Sequence, residues 1–441
     1  MPLSLPIIPI TTPEEIVLLV EPVAISPYLP SRRATLAEGQ PISELMSRAL
    51  DNPGLISLAA GFVDGQTLPV EAVRDVMSDL LGNDAEARAM LQYGATPGLP
   101  ALRRSILAQC TSTATAQEML DRVVVTAGSN QLLHLVAESL LDPGDIVLCA
   151  APTYLVFLGT VANLAARTWS VETDDLGMIP EALEATLQQL AQSGDLPRVK
   201  AIYLVPYFDN PSGITMPAQR VQRIVEIAKQ WSHRTRIHVI ADEAYRELRY
   251  AGDDVPSASE FDEDGETVIV AGTFSKSFSP GVRVGWGILP EHLVAPVCAQ
   301  KGNIDFGSPN FNQHLMAEVL RRGLFVRHVE KLRASYHQKL DAMLAAADEL
   351  LAPLERVTWR RPIGGLYVWA TLPPEIDTGP TGELCDRAIA EGVLYVPGQY
   401  CYPAEGQPIA KNTMRLSFGV QSCERIREGI AALARAIQAV T

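Results

Sequence analysis

Lys276 carries the most chemistry of any residue in this chain. It stands in GTFSKSFSPGVRVGW (272–286), just past an apolar run that reads as a buried strand. A buried lysine is costly unless its charge is paired or removed. Condensing the amine with an aldehyde removes the charge, and the Schiff base so formed opens amine chemistry. Around it, Thr273, Ser275 and, seven residues on, Arg283 offer hydroxyl and guanidinium donors of the kind that hold a phosphate. Taken alone, the string also fits a solvated lysine in a loop.

Three further stretches bear on the same chemistry. IHVIADEAYREL (237–248) ends an apolar run on Asp242, at the edge where open α/β sheets meet their ligands. A carboxylate there can pair with the protonated nitrogen of a pyridine ring and keep that ring an electron sink. Tyr245, three residues on, can reach a phenolic oxygen of the same ring. The plainer reading of this stretch is a helix N-cap with acidic charge in its first turn. In YLVPYFDNPSGITMP (203–217), Asn210-Pro211-x-Gly213 must turn sharply. Asn210 either serves that turn alone or adds a hydrogen bond to the same oxygen. TAGSNQLLHLV (126–136) runs from a strand through Gly128-Ser129 into a helix. The N–H groups and dipole at such a helix start favour a phosphate, although Ser129 can also be no more than an N-cap.

The elements that must position these residues alternate from about 70 to 300. VVVT (123–126), IVLCA (146–150), KAIYLVP (200–206), IHVIADEA (237–244) and TVIVAGTFS (267–275) are short, near-continuous apolar runs, the pattern of strands covered on both faces. Between them lie stretches with helical spacing, such as 129–141, with Leu132, Leu133, Val136 and Leu140 on one face, and 217–233. This predicts an α/β domain with a mostly parallel sheet covered by helices. From 310 to about 352 the chain reads as helix, and after Pro353 the segments 357–372 and 412–419 read as antiparallel strands before a last helix. The predicted layout is an N-terminal arm over 1–40, a segment over 41–70 that completes the small domain and the active site, a large domain over 71–310, and a small α+β domain over 311–441. The apolar Ile7, Ile8, Ile16, Val17, Leu18 and Leu19 suit an arm docked on a partner subunit.

Composition narrows the function classes. The chain has 441 residues, 47% apolar and 20% charged, with a net charge of −15, so a sizeable core is expected and binding to nucleic acid or anionic membrane is not. The first thirty residues lack a positive start and are broken by prolines, a poor signal peptide. No apolar run is long enough for a membrane span. Six cysteines form no CxxC pair and seven histidines no HExxH pair, which points to thiols in a reducing cytoplasm and to no protein-held metal.

In their joint order these stretches, with ISLAAGFVDGQTLP (56–69), LQYGATPGLPALR (91–103), RRPIGGLYVW (360–369) and MRLSFG (414–419), resemble the fold type I pyridoxal 5′-phosphate (PLP) enzymes of the class I and II aminotransferase group. Within it they look most like the aminoadipate and kynurenine aminotransferase branch, which also resembles the catalytic domain of MocR-type regulators. The resemblance implies an aminotransferase that passes an amino group from an α-amino acid to a 2-oxo acid by a ping-pong route through a Lys276 Schiff base. It implies Lys276, Asp242 and Tyr245 as catalytic residues, with Asp242 on the pyridine nitrogen and Tyr245 and Asn210 on the phenolic oxygen. Gly128, Ser129, Asn130, Thr273, Ser275 and Arg283 would hold the phosphate, Tyr154 would stack on the ring, and Tyr93 would reach the phosphate of the neighbouring subunit's cofactor in a homodimer. Arg415, with Asn210 and Gly61, would bind the substrate, Arg415 clamping its α-carboxylate.

Departures from the group's pattern are Thr273 where serine is usual, the absence of an arginine in PISELMS (41–47), and a long N-terminal extension. A PLP lyase, decarboxylase or synthase on the same lysine is the main alternative. The MocR-type sensing role is a lesser one, since only Arg32 and Arg33 stand as basic residues ahead of the match.

Overall fold

The computed structural model describes residues 29–37, 54–110 and 119–441. Ile7 to Leu19 of the expected arm, and the PISELMS segment, lie outside the described residues.

The apolar runs form a seven-stranded sheet. Its strands are β1 (Val123–Thr126), β2 (Ile146–Ala150), β3 (Arg167–Val171), β4 (Val199–Leu204), β5 (His238–Asp242), β6 (Val268–Thr273) and β7 (Gly285–Ile288), in the spatial order β1-β7-β6-β5-β4-β2-β3. Neighbours from β6 through β5, β4 and β2 to β3 are parallel, and β7 runs antiparallel to both β1 and β6. Side chains alternate between the two faces as the pleat requires. Ile240 and Ala271 enter the core on one face, and Val239, Ala241 and Val270 enter the core on the other. Both faces are covered, which is why 239–241 in β5 and 268–271 in β6 are uninterrupted apolar runs. The covering helices present apolar stripes. Ala218–Trp231 buries Val221, Ile224, Val225, Ile227 and Ala228, where each full-sized aliphatic contributes about 1.5–3 kcal/mol. Ser129–Leu140 buries Leu132, Leu133 and Val136.

After two helices, Asn310–Arg321 and Leu324–Leu350, a second sheet forms. It contains β8 (Thr358–Trp359), β9 (Tyr367–Thr371), β10 (Val396–Pro397) and β11 (Thr413–Ser417), in the order β8-β9-β11-β10 and antiparallel throughout. Trp369 lies opposite Arg415 in the register. The final helix, Cys423–Gln438, packs its buried face of Ile426, Ile430, Leu433 and Ile437 in the same core. Ile56–Ser57 pairs in parallel with Val393–Leu394, and Leu58 accepts a hydrogen bond from Ser417 N. The early segment is thereby laid against the C-terminal sheet and carried on toward the ends of β5 and β6.

Candidate active site

The functional side chains converge where the parallel strands end. Asp242 closes β5, 4% exposed. Its Oδ2 accepts from Tyr203 Oη at 3.0 Å and its Oδ1 from Ala244 N at 3.2 Å. Burial pushes this carboxyl up to about 6, against the pull of those two donors. Such a group gains from a cationic partner, because pairing restores the ionised form.

Thr273 closes β6, and the chain turns at once. Ser275 N donates to Thr273 Oγ1 at 3.1 Å, and Lys276 Nζ reaches the carbonyl of Gly61 at 2.6 Å. Arg283, with φ +48°, is left-handed and folds back. Its Nη1 donates to Ser275 Oγ at 3.3 Å and its Nη2 to Ala127 O at 3.0 Å. That path crosses Gly128, whose φ is +84°; a Cβ there would stand 2.5 Å from Arg283 Nη2. A Cβ on Gly285 would in turn strike Gly128 C at 2.4 Å. The two glycines let the guanidinium lie across the start of helix Ser129–Leu140. Hydroxyls of Thr273, Ser275 and Ser129, the Arg283 cation and a helix N-terminus thus surround one spot, an anion cradle by charge and by geometry.

Across the cavity, Tyr154 Oη donates to Asn130 Oδ1 at 3.2 Å. Burial raises the Tyr154 phenol, so it stays protonated. Asn210 Nδ2 donates to Tyr245 Oη at 3.3 Å, and Asn210 Oδ1 accepts from Arg415 Nη1 at 2.7 Å. Arg415, on β11, is 2% exposed. Its Nη2 donates to Ala59 O at 2.8 Å, its guanidinium carbon sits 4.3 Å from the Tyr367 ring centroid, and its buried Nε has no partner among the described residues. An orphaned donor on a buried cation calls for an acceptor.

Ser129, Asn130, Tyr154, Asn210, Asp242 and Tyr245 line a cavity of about 110 Å³, together with Thr273, Ser275, Lys276 and Arg283. Gly128, Gly61 and Arg415 abut it through the contacts above. Tyr93 is not part of it: it is 85% exposed, with its ring 6.3 Å from that of Phe306, itself 74% exposed. Sequence reasoning missed Tyr203, Val205, Ala59 and Tyr367. Tyr203 and Tyr367 sit in apolar strands and read there as core aromatics. A hydroxyl within an otherwise apolar run was the available signal. The chain is acidic overall, yet this site gathers Lys276, Arg283 and Arg415 against Asp242. Among the described residues no cluster of three or more His, Cys, Asp or Glu could hold a metal, and no helix is long and apolar enough to cross a membrane.

These features have close parallels in known proteins. A family model described as aminotransferase class I and II matches residues 53–433. The chain is 35% identical over 408 residues to aromatic-amino-acid aminotransferase 1 of Thermococcus litoralis, spanning 92% of this chain and 94% of that one. It is similar to the solved Pyrococcus horikoshii kynurenine aminotransferase in complex with PMP, with a TM-score of 0.84 at 33% identity over 93% of this chain and 97% of that one. It is also similar to the α-aminoadipate aminotransferase of Thermus thermophilus complexed with N-(5′-phosphopyridoxyl)-L-leucine, with a TM-score of 0.80 at 30% identity over 92% and 97%. The chain belongs to the class I and II aminotransferase family. It is an enzyme, a transaminase on the fold type I architecture.

Proposed function

We propose that this enzyme uses PLP to move the amino group of an α-amino acid to a 2-oxo acid, with Lys276 as the covalent anchor of the cofactor. One observation carries the reading: a lysine amine, a buried carboxylate and a phosphate-type cradle face one cavity. The donor set fits the cofactor group by group. The cradle of Ser129, Thr273, Ser275 and Arg283 suits its phosphate, and Gly128 leaves room for the Arg283 guanidinium to close it. Asp242 suits its ring nitrogen, Tyr245 and Asn210 its phenolic oxygen, and the Tyr154 ring its face.

Bound PLP supplies an electron sink that makes the substrate's Cα–H acidic. The remaining work belongs to the chain. Arg415 orients the substrate by its α-carboxylate, using the unpartnered Nε and the fork geometry of a guanidinium. Lys276 Nζ would take the Cα proton and later return it. Asp242, ionised once paired, would hold a proton on the ring nitrogen of the cofactor. Release of the first oxo acid before the second binds gives ping-pong kinetics, read as parallel initial-rate lines.

We further propose a cytoplasmic homodimer in which Tyr93 serves the neighbouring site. The exposed Tyr93 and Phe306 rings support a covered face, and none of the six cysteines is bonded to another. Within each chain, 71–310 is read as the cofactor domain and 311–441 as the small domain completed by 41–70.

The test is optical. Purified protein should show a visible band with PLP, and single amino acids should bleach it; those that bleach it name the donor class. Lys276→Ala should lose the band. A band that no amino acid bleaches would point to a lyase, and a wild-type protein as colourless as Lys276→Ala would overturn the reading.

A further inference from the structure

Tyr367 belongs to the site's polar network, and the proposed function gives it no task. It stands on β9, fully buried, and its Oη lies 3.1 Å from Tyr245 Oη. Its ring supports the Arg415 guanidinium, and its hydroxyl fills the space a Cβ on Gly61 would take, at 2.6 Å. Gly61 in turn accepts Lys276 Nζ through its carbonyl. One side chain therefore touches two functional groups, Tyr245 and Arg415, and the partner of a third, Lys276.

The direction of the Tyr367–Tyr245 hydrogen bond follows from counting protons. Arg415 can only donate, so the Asn210 atom facing its Nη1 at 2.7 Å must be the acceptor Oδ1. That fixes the amide and turns Nδ2 toward Tyr245, whose oxygen accepts at 3.3 Å. Tyr245 Oη has one proton and two lone pairs. If it gives its proton to Tyr367, that proton is lost to the cavity. If Tyr367 donates instead, both lone pairs of Tyr245 are filled and its proton is free to point into the cavity. The charged and titratable groups around the pair are Arg415 from β11, Tyr154 ahead of helix Leu155–Asn163, Asp242 at the end of β5 and Lys276 beyond β6. Burial raises the Tyr245 and Tyr154 phenols, so both keep their protons.

We infer that Tyr367 is a positioning residue whose hydroxyl donates to Tyr245 Oη and so aims the Tyr245 proton at the phenolic oxygen of the bound cofactor. The inference rests on the PLP reading. A chain of hydroxyls polarised one way makes its last member a stronger donor. A stronger donor favours whichever state puts more negative charge on that oxygen. Losing the proton from the nitrogen that joins Lys276 to the cofactor is such a change, because the cation that balanced the oxygen is then gone. Tyr367 thus lowers the pH at which that nitrogen loses its proton.

The experiment is a pH titration of the visible band in the PLP-loaded wild type, Tyr367→Phe, Tyr245→Phe and the double variant. Losing one neutral hydrogen bond in Tyr367→Phe should raise the midpoint by roughly half a unit to one unit, with PLP still bound. In the Tyr245→Phe background the second substitution should add no further shift, since the effect passes through Tyr245. A midpoint unchanged in Tyr367→Phe, or an equal shift with and without Tyr245, overturns the inference while leaving the band, and with it the PLP reading, intact. Absence of the band in the wild type overturns the cofactor reading itself.

Discussion

Arg415→Lys separates carboxylate recognition from everything else the site does. In the fold, Nη1 is committed to Asn210 and Nη2 to Ala59 O, and the buried Nε is left over. A lysine keeps the positive charge but offers one nitrogen on a flexible stem. It cannot hold Asn210, hold Ala59 and face a carboxylate together. The substrate then loses at least one charge-assisted hydrogen bond, about 1.5–3 kcal/mol. At 1.36 kcal/mol per decade this is roughly a 10- to 150-fold fall in kcat/KM. The assay is single-turnover bleaching of the visible band by an amino acid and, in parallel, by the primary amine that lacks its carboxyl. The amino acid should lose that factor, and the amine, already slow, should lose far less. An equal loss for both would mean that the substitution merely disturbs Asn210, and no loss would mean that the carboxylate binds elsewhere. Either result would refute the assignment.

Gly128→Ala should raise the Kd for PLP about tenfold or more, because φ is +84° and the new Cβ meets Arg283 Nη2 at 2.5 Å; fluorescence-monitored PLP titration reads it, and an unchanged Kd contradicts the cradle. Tyr93→Phe should weaken PLP retention in the dimer without changing the Tm of the cofactor-free protein, and equal retention on dialysis removes Tyr93 from the neighbouring site. Asp209, beside Asn210, has its carboxyl pushed up to about 7 by burial against the hydrogen bonds of Ser212. The folded state therefore binds its proton more tightly than the unfolded chain does. The stability this gives is complete below the unfolded carboxyl's pKa of 3.8 and is lost as pH rises toward 7. Asp209→Asn, which cannot ionise, should flatten the Tm of the cofactor-free protein between pH 4 and 8; the same slope as wild type would count against it.

Legibility in the sequence follows burial. β1, β2, β4, β5 and β6 are mostly apolar because both their faces are covered, with Lys200, His238, Thr126, Asp242 and Thr273 confined to the strand ends or next to them, so composition marks them. β3, RTWSV, and β7, GWGI, carry polar residues and glycines, and only their neighbours in space make them strands. The antiparallel entry of β7 has no local signature either. Lys276, Asp242 and Asn210 were readable as candidates because each stands at or past the end of an apolar strand, though each also fits a plainer reading as a loop lysine, an N-cap or a turn residue. Tyr367 was not readable: its hydroxyl gains meaning only beside Tyr245 and Gly61, far away in the chain. The cradle's glycines were half legible. A Gly-Ser pair before a helix is visible in the sequence, but the need for Gly128 comes from Arg283 crossing it, which no local pattern records.

The hydrogen bond between Arg415 and Ala59 joins residues 356 positions apart, and this dictates when the enzyme can become one. On a ribosome adding about 5–20 residues per second, Ala59 emerges roughly 20 to 70 s before the arginine that will hold it. The large sheet is made in that interval, with Lys276 and Asp242 already at its rim. Only once β11 has been made can Arg415 fasten Ala59, two residues before the carbonyl of Gly61 that receives the lysine amine. Nascent chains cut short before β11 would own Lys276 and Asp242 without the arginine that fastens the early segment beside them, so competence waits for β11 and does not grow gradually along the chain.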